Sequence, residues 1–417
     1  NKYASDQVKA IFQKDPKAMQ CWSVDGKLMG LPAQIQGTPQ RKGFWIRKDW
    51  LDKVGLDTPK NFSEVVDAMK QFVAKKPGGQ AGTYGIQMDK TVSLGSVVAA
   101  AVGASNGRWM KKDGKLVISN TDESTKKSWQ VLADWYKQGL ISKDFAVDTS
   151  AELEKDWLNG KVGVFAGTPQ GMAGNTSIYN WLQTNPDGDC VFVPLTTEDG
   201  KAPQYTAEAS YPNVVLVNKK CNHPEAVMKL FNLGTAIFND PKPSWITDNT
   251  YNSGKQGGWA EFWNCVCHIE DPENQLNNTM LAIDAFRTGD TSKLTATAKD
   301  NYYKYLDDWK EKGKAGENWW ISFTYWKCFQ PGGPVDEDIK LTKENTGDWK
   351  TDAYWGPETA TYSANAQNWA AEATKDLTQA ILTGKVDGYF QSYVNFVKTN
   401  GGDAACKEAE EWIAKNG

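Results

Sequence analysis

The chain has 417 residues, 40% of them hydrophobic, which exceeds the usual size of one compact domain and makes two lobes the natural expectation. Its 47 basic and 51 acidic residues are spread along the sequence for a net charge of -4, so it carries no electrostatic footprint for nucleic acid, an anionic membrane or a polyanionic ligand. The longest nearly apolar stretch, Val97 to Ala104, is far too short to span a bilayer.

Strands and helices alternate along most of the length. The first apolar run bounded by turn residues, Phe44 to Arg47, reads as a strand. Asn61-Phe-Ser-Glu64 has the form of a capping box, and Val65, Val66, Met69 and Phe72 follow at helical spacing, which predicts a helix to about Lys76. A strand-like stretch, Tyr84 to Gln87, comes next. The capping form recurs in Asn120-Thr-Asp-Glu123, before a helix ending near Gly139. Val162 to Ala166, Val191 to Val193 and Val214 to Val217 are further strands, and Asn222-His-Pro-Glu225 opens a helix over Ala226 to Phe231. From about Tyr362 the chain is largely helical. This order predicts α/β lobes with mainly parallel sheets.

Aromatic content is the loudest compositional signal, with 19 Trp, 15 Tyr and 15 Phe against only two His. Trp129, Trp135 and Trp157 lie in helical patterns and are expected in the core. Trp319, Trp320, Tyr325 and Trp326 form the densest cluster, and their alternation fits a buried sheet face. Other Trp residues sit in Gly- and Pro-rich loops. There they suit carbohydrate, whose flat C–H faces pack on aromatic rings while amides and carboxylates bind the hydroxyls.

Seven cysteines at scattered spacings do not fix a compartment. Cys265, Cys267 and His268 form a C-x-C-H group with Glu270 and Asp271 nearby, but no second pair accompanies it, and buried thiols or a local disulfide explain it as well as a metal does. No G-x-S-x-G elbow, H-E-x-x-H helix, P-loop or dinucleotide fingerprint is present, so neither a cofactor nor catalysis is expected. A glycoside hydrolase is the strongest enzymatic rival, since it too would be rich in Trp and acids. A carbohydrate-binding protein without a transport role is the other alternative.

Several segments resemble the extracellular solute-binding proteins of bacterial ABC importers, in particular the lipoprotein group that binds alginate and oligosaccharides. They are Asp25-Gly-Lys-Leu-Met-Gly-Leu-Pro32, Trp45 to Leu56 with Pro59 and Glu64, Gly160-Lys-Val-Gly163, Val217 to Ala226, and the C-terminal run from Leu382 through Tyr389-Phe390 and Gly401-Gly402 to Glu411-Trp412. The resemblance implies a periplasmic-binding-protein type II fold, two lobes joined by a hinge with the ligand in the cleft between them. It implies a division into 1–52 (part of lobe 1), 53–211 (lobe 2), 212–315 (return to lobe 1) and 316–417 (lobe 2 and C-terminal helices), with crossings near Trp50 to Leu56 and Ala209 to Asn213. Family members carry a leading strand-helix-strand after a signal peptide and lipid-modified Cys. The first lobe is therefore expected to be N-terminally incomplete, by about a hundred residues. Some relatives hold calcium after the helix matched at Glu64, but Lys76-Pro-Gly-Gly-Gln-Ala-Gly-Thr-Tyr84 lacks alternating oxygen ligands, so no metal is expected there.

Ligand-binding residues are sought where the matched strands stop. After Pro32 come Gln36, Gln40 and Arg41, which also fit an exposed polar loop; Asp89 follows the Tyr84 strand. Trp109 lies in a loop, Asn106 to Met110. Gln170 follows the Gly160 strand, Tyr205 and Tyr211 precede the return crossing, and Trp355 with Glu358 sits where relatives place an aromatic and acidic wall. The implied protein is an extracytoplasmic, lipid-anchored monomer of a Gram-positive cell surface that captures a neutral oligosaccharide and passes it to ABC permease subunits.

Overall fold

A computed structural model describes residues 2–14, 16–24, 26–33, 41–104, 107–207, 214–239, 267–344 and 349–416. Its strands, in chain order, are β1 (Ser23–Val24), β2 (Lys27–Leu28), β3 (Leu31–Pro32), β4 (Gly43–Arg47), β5 (Tyr84–Ile86), β6 (Trp109–Lys112), β7 (Lys115–Ile118), β8 (Val162–Gly167), β9 (Cys190–Pro194), β10 (Tyr205–Ala207), β11 (Val214–Val215) and β12 (Trp349–Thr351).

The larger body is built on a sheet of order β5-β8-β4-β9. Every residue of β4 is buried, and alternation sends Phe44 and Ile46 to one core and Trp45 to a second core on the opposite face. The first core is closed by the helices Phe62–Lys75 and Glu123–Lys137 and by the C-terminal helices Ala360–Thr383, Val386–Thr399 and Gly402–Asn416. The second core is closed by the helices Thr176–Thr184, Asn274–Thr288, Lys304–Lys312, Trp319–Phe329 and Pro334–Glu344. Within this sheet only the β5–β8 ladder is parallel and β4 runs antiparallel to both β8 and β9, while β10 and β12 form a separate parallel pair. The mainly parallel sheet read from the strand-helix alternation is thus corrected, because the connections around β4 are not simple βαβ crossovers.

Two glycines of the Gly160-Lys-Val-Gly163 motif have a packing reason. Gly160 takes φ +69°, and a Cβ on Gly163 would lie 2.5 Å from the Trp50 ring, so the bare backbone of β8 lets that indole approach the strand closely. At the end of β4 the Arg47 guanidinium lies 4.5 Å from the Trp181 ring and 5.0 Å from that of Trp50, and it pairs with Asp49 through both Nε and Nη2. Buried in this way, one cation ties both cores to the end of the interior strand β4.

Helix caps follow the sequence with one shift. Asn61 accepts from the Glu64 amide at 3.0 Å, and the Glu64 carboxylate returns to the Lys60 amide and the Asn61 side chain. In the second capping run the N-cap is Asp122, not Asn120, because Ser119–Thr121 forms a 3-10 turn first. The Trp319 to Trp326 cluster is an α-helix rather than a strand. Its rings reach Trp309 and Tyr305 of the neighbouring helix, Tyr305 to Tyr325 at 4.2 Å, and this contact stacks aromatics around the helix where a sheet face would need every second residue.

The smaller body gathers the helices Asp6–Lys14 and Pro224–Asn239 around Val8, Ile11, Phe231 and Ile269. Phe12 stacks on Phe231 at 6.3 Å, and β3 pairs with β11 as a two-stranded antiparallel ladder. The strand read over Val214 to Val217 stops at Val215. Met29, Leu216, Leu230 and Leu233 remain 51–65% exposed, so the described residues do not close this body's apolar surface.

Packing moves the expected division of the chain. Because β4 is paired with β8 and β9, residues 43–52 belong with 53–211 rather than with the smaller body. Trp50 to Leu56 is no crossing: it is mostly the helix Lys48–Val54, with Trp50 wholly buried. Ile283 and Leu306 share a core with Trp45, so much of 212–315 packs on the larger body. The Ala209 to Asn213 crossing lies outside the described residues.

One buried carboxylate makes a pH test possible. Asp376 is 2% exposed, its Oδ2 has no hydrogen-bond partner among the described residues, and burial holds its carboxyl above the usual range. A raised folded value means the native state holds the proton longer than the unfolded chain, so stability falls as pH rises through that window and stays lower above it. Asp376→Asn cannot ionise, and its urea midpoint is expected to gain on the parent's between pH 4 and pH 7. An unchanged difference across that range would remove Asp376 as a source of pH dependence.

Candidate functional site

Strand directions bring several of the sequence-selected residues to one end of the larger sheet. Since β5, β8 and β9 run together and β4 runs against them, the ends of the first three meet the start of β4. Asp89 follows β5, Gln170 follows β8 and Arg41 precedes β4. Tyr205 joins them, 3% exposed, its hydroxyl accepting from the Lys42 amide at 3.3 Å. Gln36, Gln40 and Tyr211 lie outside the described residues.

The four differ in what they can offer a ligand. The loop after β8 is pinned where the Trp45 indole donates to the Thr168 carbonyl at 2.9 Å, which leaves the Gln170 side chain half-buried and 3.3 Å from the Gln275 amide. Asp89 turns back on its own loop, accepting from the Thr91 amide at 3.0 Å and the Thr91 hydroxyl at 2.5 Å. Arg41 is 5% exposed. Its Nη1 donates to the Asp338 carboxylate at 3.4 Å, the Asp338 carbonyl at 3.3 Å and the Thr342 hydroxyl at 2.5 Å, and its Nη2 to the Leu341 carbonyl at 3.3 Å. The guanidinium thus satisfies the Leu341 carbonyl, one of the last four of the helix Pro334–Glu344, and reaches the Asp338 carbonyl one turn earlier. Burial pushes the Asp338 carboxyl up, and Arg41 pulls it back. The exposed polar loop read for Arg41 is corrected to a buried helix clamp.

Trp109, Trp355 and Glu358 form a second group. Trp109 begins β6 rather than lying in a loop, is 5% exposed, and packs edge-on to Tyr354 at 5.5 Å. Asp352 receives its amide at 2.8 Å and that of Arg108 at 3.1 Å, while Arg108 pairs with the exposed Glu358 at 3.0 Å. Trp355 points the other way, into the smaller body, where Lys17 lies 4.8 Å from its ring and the Cys21 thiol donates to its carbonyl at 3.3 Å. Residues 352–358 are therefore a strut between the bodies. Trp109 and Trp355 are held by packing, which spacing in the sequence does not reveal.

Residues not singled out from the sequence also border the strand ends. The turn Gln330-Pro-Gly-Gly-Pro334, recognisable as a Pro/Gly break between helices, closes a pocket of about 370 Å³ against β9. Cys265 of the C-x-C-H group lies outside the described residues. Among the described residues no helix is long and apolar enough to cross a membrane.

Comparison with known proteins agrees with this architecture. Residues 4–236 match the family described as bacterial extracellular solute-binding protein. Lipoprotein LipO of Bacillus subtilis (strain 168) is 33% identical over 249 residues, 58% of this chain and 49% of LipO. The polygalacturonan/rhamnogalacturonan-binding protein YtcQ of the same organism is 27% identical over 150 residues, 35% of this chain and 29% of YtcQ. The chain thus spans about half the length of these curated relatives or less. Among solved structures, the alginate-binding protein AlgQ2 without calcium ion superposes with a TM-score of 0.58 at 17% identity, covering 98% of this chain and 79% of that one. An HMO-binding, ABC-transporter-associated solute-binding protein from Bifidobacterium longum infantis gives 0.58 at 16% identity, covering 97% and 80%. At such identities the likeness is one of fold, and that fold is the type II periplasmic-binding-protein architecture. By the match over more than half its length, the chain belongs to the bacterial extracellular solute-binding protein family.

Proposed function

We propose that this protein is the extracytoplasmic receptor of an ABC importer, which captures a neutral oligosaccharide between its two bodies and delivers it, chemically unchanged, to membrane permease subunits. The observation that carries the reading is the meeting of Asp89, Gln170 and Tyr205 at the sheet end from which the chain departs for the smaller body. Loops at strand ends of α/β sheets are where ligands are held, and two bodies joined by connecting segments can close on a ligand that contacts both. The same reading proposes Trp109, Trp355 and Glu358 as further ligand-binding residues, together with Gln36, Gln40 and Tyr211, which lie outside the described residues. The names of YtcQ and of the alginate- and HMO-binding neighbours support a carbohydrate, and that of LipO supports a lipid anchor at the outer face of the membrane. The receptor acts as a monomer. The family is one of binding proteins, which disfavours the hydrolase.

Isothermal titration against neutral tetrasaccharides and tetragalacturonate, with reducing ends assayed in the same samples, tests this. Saturable binding of an intact neutral sugar is expected. Release of new reducing ends, or no heat across the whole panel, would overturn it.

A further inference from the structure

We propose that the pocket between β9 and the Gln330-Pro-Gly-Gly-Pro334 turn is a carbohydrate subsite wholly within the larger body, which takes one or two uncharged sugar rings. This rests on the reading that the protein binds carbohydrate, and it adds where one end of the ligand sits and which sugars are refused.

The pocket's volume of about 370 Å³ lies at the small end of the range of about 300–1,000 Å³ for sites that hold small molecules. One wall is the free edge of β9. The ladder to β4 is bracketed by the Leu195 amide on the Lys42 carbonyl and the Lys48 amide on the Asp189 carbonyl, so by alternation the backbone N–H and C=O of Phe192 point away from β4. A peptide strand could not extend this edge. Pro194 has no N–H, and the Cys190 amide donates to the Asp189 side chain at 2.7 Å. What remains is one isolated backbone donor, on Phe192, with the carbonyls of Cys190, Phe192 and Pro194 beside an aromatic ring, a pattern suited to a hydroxylated ring rather than to a chain of amides.

The ring is that of Phe192, half-buried, packed against Trp45 at 5.2 Å. A Cβ on Gly43 would lie 2.4 Å from its Cζ, so the glycine lets the ring lie across β4 while it borders the pocket. The opposite wall supplies polar groups. The Gln330 side-chain amide and the Glu337 carboxylate, half-buried and exposed respectively, have no hydrogen-bond partner among the described residues. Gln330 is held in place by its turn: the Gly333 amide donates to its carbonyl at 2.8 Å, Gly332 takes φ +73°, and a Cβ on Gly333 would come within 3.0 Å of the Gln330 Cγ.

Charge decides the class of sugar. Both cations of the pocket are already engaged, Arg41 by Asp338 and Lys327 by Asp189 at 2.8 Å. Glu337 is left as uncompensated negative charge, so the carboxylate of a uronate would enter beside a like charge with no free cation to receive it.

The test titrates the full chain and three variants with maltotetraose, cellotetraose, mannotetraose, β-1,4-galactotetraose and tetragalacturonate, with melting temperatures measured alongside. Gln330→Ala is expected to weaken the best neutral ligand about five- to tenfold, the worth of one hydrogen bond, without lowering the melting temperature, whereas Gly333→Ala, whose Cβ would press on the Gln330 carbonyl and Cγ, is expected to weaken it and to melt lower. Glu337→Arg is expected to gain tetragalacturonate binding that the parent lacks. Neutral binding that is unchanged in all three variants, with no gain of tetragalacturonate, would overturn the subsite while leaving the receptor reading intact. Failure of every sugar to bind the parent would overturn both.

Discussion

Replacing Arg41 by alanine is expected to lower the unfolding free energy by about 3–5 kcal/mol, the cost of leaving one partner of a buried ion pair alone. The guanidinium is 5% exposed and Asp338, its carboxylate partner, has a side-chain exposure of 12%. Removal would strand that carboxylate and also take a hydrogen bond from the Leu341 carbonyl near the helix end. Arg41→Met combined with Asp338→Leu takes away both charges and is expected to recover most of the loss. Urea midpoints of the single and double variants measure this. An Arg41→Ala protein as stable as its parent that no longer bound sugar would instead place the guanidinium on the ligand.

Trp355→Ala is expected to act on both stability and affinity. The ring is part of the smaller body's apolar cluster while residues 352–358 are bound to the larger body through Asp352 and Glu358. Truncating an indole at such a contact costs about 3 kcal/mol. Under the proposed closure the change loosens a contact between the two bodies, so sugar affinity is expected to fall about tenfold or more, a loss of roughly 1.4 kcal/mol per decade. Trp355→Phe keeps the apolar contact and is expected to retain most of both. If Trp355→Ala melts with the parent and binds sugar as tightly, residues 352–358 do not couple the bodies.

Much of this architecture was legible in the sequence where local chemistry is decisive. The Asn61 cap, the buried strand Phe44 to Arg47 and the helical C-terminal run depend on residues within a turn or two of each other, and each stands where the pattern put it. Sheet direction was not legible, because the order β5-β8-β4-β9 is set by partners 78 to 151 residues apart. The Trp319 to Trp326 run misled for a related reason: aromatics on all sides of a short segment obscure the period that separates helix from strand, and only the helix packed against it resolves the choice. Strand ends located Asp89 and Gln170 at one end of the sheet, because their positions follow from chain direction. They were a poor guide to Arg41, since nothing near it in sequence announces the helix end that Arg41 clamps almost 300 positions later.

The account turns on an intact sugar drawing two bodies together. Small-angle X-ray scattering of the protein, without sugar and then saturated with the neutral tetrasaccharide that titrates most tightly, tests this most directly. A smaller radius of gyration on saturation, with the sugar recovered uncleaved, is the result expected of a receptor that closes on its ligand. Tight binding with an unchanged radius of gyration would contradict closure, and recovery of a shortened sugar would contradict the receptor itself.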